Sequence, residues 1–202
     1  PALISICTIP LASTGAIAQE ESAGLEEIVV TARKRQESIQ DVPVAVSAIS
    51  PGQLERGSIT SSLDLGKLVP NVELHETNIG SESLSASIRG LSYDDIEKSI
   101  EPTVGVAIDG VFLASNSGAV FDFFDVESVE VLRGPQGTLF GRNTIGGLIH
   151  VIRSKPTGEL GGKFSYTVAE DSQSDFKGTL NLPEFANIST KATYMNLSGG
   201  GY

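Results

Sequence analysis

The run at residues 124–156 constrains this chain most, because it reads as strand, glycine-rich turn, strand. From Ser128 to Leu132 polar and apolar residues alternate, which sets Val129 and Val131 on one face and Glu130 on the other. Gly134 and Pro135 end that strand, since proline fixes φ, lacks an N–H and pushes its predecessor out of helical space. Gly134, Gly137, Gly141, Gly146 and Gly147 then allow tight backbone packing and positive φ. A second apolar run, from Leu148 to Ile152, follows and stops at Lys155-Pro156.

The ordered string Glu130-Val131-Leu132-Arg133-Gly134-Pro135-Gln136-Gly137-Thr138-Leu139-Phe140-Gly141-Arg142-Asn143, followed by Gly146-Gly147, resembles the end of the plug domain of TonB-dependent outer-membrane receptors. Those are bacterial barrels that hold a globular plug in the lumen and are powered from the inner membrane. The resemblance makes Gly90, Gly134, Pro135, Gly137, Gly141, Asn143, Gly146 and Gly147 the plug's backbone motif. It also implies ion pairs between plug and barrel, for which Arg89, Glu130, Arg133 and Arg142 are the candidates. The chain departs from the pattern at His150 and Arg153, where many members carry an Asn and a Thr.

Composition narrows the function classes. The chain has 202 residues and a formal net charge of −11, which argues against a nucleic-acid partner. Past the leader no apolar run of about 18 residues is free of turn signals, so no transmembrane helix is expected. The single cysteine, Cys7, falls in that leader, which leaves no disulfide, thiolate nucleophile or cysteine-ligated zinc beyond it.

In chain order, residues 1–18 are mostly apolar and end Ala16-Ile17-Ala18, an expected signal peptide cleaved after Ala18. Residues 19–35 read as a periplasmic extension. Within it Leu25 to Ala32 form a β-prone segment with no hairpin partner nearby, ahead of a basic linker at Arg33-Lys34-Arg35. A lone strand is a liability unless pairing with another chain is its purpose. In the family this place holds the TonB box, which Glu27, Ile28, Val29, Val30, Thr31 and Ala32 resemble; the alternative is an edge strand of the domain that follows. The short stretch before it leaves no room for a signalling domain, which points to transport rather than transcriptional signalling.

Residues 36–156 are the expected plug. Val42, Val44 and Val46 suggest an edge strand, with Pro43 tolerable there. Ser50 reads as a helix N-cap with Pro51 at the first helical position. Leu63, Leu65 and Leu68 suggest a second short helix, and a strand resumes at residues 71–74. Ile88-Arg89-Gly90 is similar to a family strand end. Asp109-Gly110 between apolar runs is the strongest hairpin signal in the chain. Phe121, Phe123 and Phe124 read as core anchors, and the acidic stretch at 93–101 as a solvated loop of the kind that meets cargo in the family.

Residues 157–202 change texture into alternating runs near 163–169, 176–182 and 189–197, the pattern of strands with lipid on one face and lumen on the other. Three strands cannot close a barrel of about 22. The expectation is therefore either a fragment of a longer protein or a broken gene product. The expected fold class is α+β: a small mixed-sheet plug with short helices, then the first antiparallel strands of a truncated transmembrane barrel.

Enzyme readings find little support. His75 and His150 lie far apart without partners at ligand spacing, no Gly-x-Ser-x-Gly is present, and the glycine-rich loop lacks the Gly-Lys-Ser/Thr ending of a phosphate cradle. No cofactor and no metal site are expected. The resemblance implies a receptor in the outer membrane for energy-coupled uptake of a scarce nutrient, foremost a ferric siderophore or other metal chelate. Its partners would be that cargo and the TonB C-terminal domain with its inner-membrane energising complex. The alternative is a secreted plug-like periplasmic binding or decoy domain, or a degraded receptor gene.

Overall fold

The computed structural model describes residues 29–31, 34–77, 83–92, 101–115, 117–168 and 174–198. The expected signal peptide, the box residues Glu27, Ile28 and Ala32, and most of the acidic loop at 93–101 lie outside the described residues. The elements in order are β1 (Val29–Val30), β2 (Glu37–Ser38), β3 (Ala45–Ile49), α1 (Pro51–Arg56), a 3-10 turn (Ser62–Lys67), β4 (Val72–Glu76) and β5 (Leu84–Ile88). They continue with β6 (Val104–Ile108), β7 (Val111–Phe112), β8 (Val126–Arg133), α2 (Gly137–Phe140), β9 (Gly147–Arg153), β10 (Gly161–Val168), β11 (Ser174–Phe185) and β12 (Ile188–Ser198).

A five-stranded mixed sheet, ordered β3-β8-β9-β6-β7, forms the centre of the plug. β9 lies in its middle, antiparallel to β8 and parallel to β6. Both faces of β9 are buried up to Ile152, which explains why it is apolar there apart from His150. On one face Val129, Val131, Ile149 and Val151 pack with Leu54 of α1, Leu65 of the 3-10 turn and Val104 of β6. On the other, Leu132, Leu148 and Ala107 pack with Val30, Val42 and Phe140. Because β8 is covered on both sides, Glu130 is wholly buried rather than facing water as simple alternation suggests.

Local chemistry accounts for the connections. Pro51 opens α1, and the Gln53 side chain accepts a hydrogen bond from the Ser50 N–H at 2.9 Å, closing the first turn. Asp109 and Gly110 both adopt positive φ, 50° and 82°, so β6 turns directly into β7. The Gly134–Pro135 break leads into α2, a helical turn too short to carry a period in sequence; it places Phe140 in the core.

A separate antiparallel sheet, β10-β11-β12, follows the plug. Phe164, Tyr166, Phe176, Leu180, Leu182 and Tyr194 share one face, all of them exposed. Lys163, Lys177, Thr179, Lys191 and Thr193 share the other. The fold is thus a mixed-sheet plug with short helices followed by antiparallel strands, and among the described residues no closed barrel forms.

Candidate functional site

The first half of the site is the N-terminal strand. β1 pairs antiparallel with β2, matching Val29 to Ser38 and Val30 to Glu37. This corrects the expectation of a strand without a nearby partner: the basic linker folds back at Lys34, whose φ is 60°, and brings residues 37–38 alongside. Val30 is fully buried while Val29 stays half exposed. Beyond Val30, the Thr31 N–H donates to Glu130 Oε1 at 2.5 Å and its hydroxyl donates to the same oxygen at 3.2 Å.

Glu130 on β8 stands directly across from His150 on β9. Its second oxygen lies 3.3 Å from His150 Nδ1, and His150 Nε2 accepts a hydrogen bond from the Gly110 N–H at 3.0 Å. A ring nitrogen that accepts carries no proton, so the imidazole donates through Nδ1 to Glu130. Both side chains are almost sealed from solvent.

The second half joins plug to strands. Asp125 Oδ2 accepts from Lys191 Nζ at 2.6 Å and from the Thr179 hydroxyl at 3.1 Å, while Oδ1 accepts from Ser154 at 2.5 Å. Lys191 also donates to the Ser154 carbonyl, and to its hydroxyl at 2.8 Å. Asp122 pairs with Lys177 at 2.8 Å, and Glu55 with Lys163 at 3.0 Å. Burial works to raise the Asp125 pKa, but hydrogen bonds from Lys191, Ser154 and Thr179 outweigh it and hold the carboxyl below its ordinary value. An open cleft of about 1200 Å³ connects the two halves, lined by Thr31, Asp109, Asp125, His150, Arg153 and Lys191 among others.

The acids on the plug and lysines on the strands were not among the contacts expected from sequence. Of those four, Arg89 is exposed in a left-handed turn, with φ 56°. Glu130 faces Thr31 and His150 inside the plug, not a barrel strand. Arg133 donates from Nη2 to Ser47 at 2.8 Å, and Arg142 pairs with Glu101 at 2.7 Å. The usable signal was period two: Lys177, Thr179, Lys191 and Thr193 alternate with the apolar positions that face outward. Of the motif glycines, Gly90, Gly134, Gly141 and Gly147 have positive φ, as does Asn143, and Gly146 sits close against Val104 and Leu91. Gly137 opens α2, next to Pro135 and Gln136. Among the described residues no group of three His, Cys, Asp or Glu side chains is placed to hold a metal ion.

The family model described as the TonB-dependent receptor plug domain matches residues 38–148. The pesticin receptor of Yersinia pestis is 32% identical over 181 residues, which are 86% of this chain and 26% of that protein. The vitamin B12 transporter BtuB of Vibrio vulnificus is 29% identical over 184 residues, 87% of this chain and 27% of the relative. The crystal structure of the ferric yersiniabactin uptake receptor FyuA from Yersinia pestis has a TM-score of 0.67 at 26% identity, over 75% of this chain and 24% of that one. The siderophore receptor PiuA from Acinetobacter baumannii shares the fold, with a TM-score of 0.66 at 22% identity over 89% of this chain and 24% of its own. This chain spans about a quarter of the length of these proteins, which are receptors and transporters, not enzymes. The plug match covers more than half of the 202 residues, and the chain belongs to the TonB-dependent receptors, whose plug domain it carries.

Proposed function

We propose that this chain is the N-terminal portion of an outer-membrane receptor that imports a scarce nutrient, foremost a ferric siderophore, with energy delivered by TonB. In this reading residues 27–32 are the TonB box, held at the periplasmic end of a plug that sits inside a barrel begun by β10, β11 and β12. Cargo docks on outward loops, the box is handed to the TonB C-terminal domain, and force drawn from the inner-membrane proton gradient rearranges the plug. Cargo of the ferric-siderophore kind is favoured because FyuA, at 26% identity, is described as a ferric yersiniabactin uptake receptor. BtuB, described as a vitamin B12 transporter, keeps the cargo class wider.

The observation that carries the proposal is the seating of β1. Among the described residues it pairs with its own plug at Val29 and Val30, a short antiparallel edge of the kind that a strand on another protein replaces in β-augmentation. Arg89, Arg133 and Arg142 keep the proposed role of meeting the barrel wall. Arg133 supports it, since its buried Nε has no hydrogen-bond partner among the described residues.

The test is Val29→Pro in the full-length receptor. Proline deletes a backbone donor within the box and disfavours the extended ladder. Energy-coupled uptake should fall to the level of a strain lacking TonB, with cargo binding unchanged. Uptake at the native rate would refute the coupling role.

A further inference from the structure

Among the described residues Glu130 is the one acidic side chain buried in the middle of the plug's main sheet, and the function proposed above gives it no part. Its oxygens divide their partners. Oε1 takes two hydrogen bonds from Thr31, from the backbone N–H at 2.5 Å and from the hydroxyl at 3.2 Å. Oε2 faces His150 Nδ1 at 3.3 Å, and His150 is fixed from behind by Gly110, whose N–H donates to Nε2 at 3.0 Å. Phe140 flanks the imidazole, with ring centroids 5.9 Å apart. A buried carboxylate needs several donors, and hydrogen bonds to a charged acceptor are the strong ones. Thr31 supplies two of those shown here, and Thr31 belongs to the box strand.

We infer that Glu130 is the catch that keeps the box strand seated on the cargo-free plug, and that His150 and the Gly110 turn hold the carboxylate aimed at Thr31. This inference rests on the reading of residues 27–32 as a TonB box. Glu130 is a positioning residue: it sets how much of the time the box is available without itself touching TonB. The arrangement has a direct structural consequence. Lifting Thr31 away strips Oε1 of both donors beside the apolar side chains of Leu132, Leu148 and Phe140, and takes the buried Val30 out of that cluster, so the empty seat is a poor state that favours re-docking. The box therefore stays down until something outside it competes for the strand. The hydrogen-bond chain from Gly110 through His150 to Glu130 also ties the catch to the β6–β7 hairpin.

The experiment uses the full-length receptor in detergent without cargo, spin-labelled at Val29→Cys on the exposed side of β1. A control label at Glu73→Cys reports on β4, away from the catch. Two catch variants are compared. Glu130→Gln keeps the shape but presents an amide N–H to the His150 donor or to Thr31. Glu130→Asp keeps the charge but withdraws the carboxylate by about 1.5 Å. Each should convert the Val29 spectrum from immobilised to mobile, leave the Glu73 spectrum unchanged, and tighten binding of purified TonB C-terminal domain roughly ten- to a hundredfold. An immobile Val29 label in both variants would overturn the catch. Mobilisation of both labels together would also overturn it, because general loosening would then explain the result. A mobile Val29 label with no TonB binding by any receptor would uphold the catch and refute the box assignment. Unchanged, measurable TonB binding in every receptor with Val29 immobile would do the reverse.

Discussion

Asp125 gathers the charges that tie the plug to its strands. It sits in a left-handed turn, with φ 58°, just ahead of β8, and accepts from Lys191, Thr179 and Ser154. Its pKa is depressed, so the sign of the pH effect is fixed. The stabilising contribution is complete above the ordinary carboxylate value of about 3.9 and is lost as pH falls through the lower folded value. Asp125→Asn should therefore lower stability at neutral pH by about 1–2 kcal/mol and flatten the acid limb below about pH 4. Urea unfolding of the plug in the full-length receptor at neutral pH and at acid pH checks both. The glycines separate just as sharply. A Cβ on Gly147, at φ 153°, would fall 2.3 Å from the Leu132 carbonyl oxygen and 2.7 Å from Ile88 Cδ1, whereas one on Gly137 meets nothing within 4 Å. Gly147→Ala should cost upward of about 2 kcal/mol, while Gly137→Ala, at the start of α2, should be neutral or slightly stabilising in the same urea assay.

At the scale of elements, what was legible in sequence was what local chemistry decides. Asp109-Gly110 announced its hairpin because only residues tolerant of positive φ fit both turn positions. Ser50-Pro51 announced α1 for a similar reason. Pairing partners were not legible. Nothing in Val104–Ile108 states that it lies parallel to β9, since alternation marks a strand and not its neighbour. The same limit hid the return of β2 alongside β1, and the buried side of β8 that makes Glu130 an interior residue. The strands after the plug were legible as strands, and their two faces carry a consequence. Phe164, Tyr166 and Phe185 are 69%, 68% and 82% exposed, on a sheet with two open edges. The 202-residue chain made alone in water should self-associate through that face and those edges. Sedimentation velocity should show the mean sedimentation coefficient rising with concentration; a single monomeric species throughout would contradict this.

At the scale of the whole molecule, two sets of contacts of different character hold the parts together. Ion pairs from Glu55, Asp122 and Asp125 anchor the plug to β10, β11 and β12. Among the described residues, the β1–β2 pairing, the buried Val30 side chain and the Glu130 carboxylate hold the N-terminal strand to the plug. Tension applied at residues 29–31 acts on this second set before it reaches the ion pairs, as the proposed handle role requires. The most direct test of the handle is hydrogen–deuterium exchange on the full-length receptor with and without the TonB C-terminal domain. With TonB bound, peptides covering β2 should exchange faster as Glu37 and Ser38 lose their partner, residues 29–31 should stay protected by the new strand, and β8 and β9 should not change. Identical exchange across β2 with TonB demonstrably bound would contradict the account.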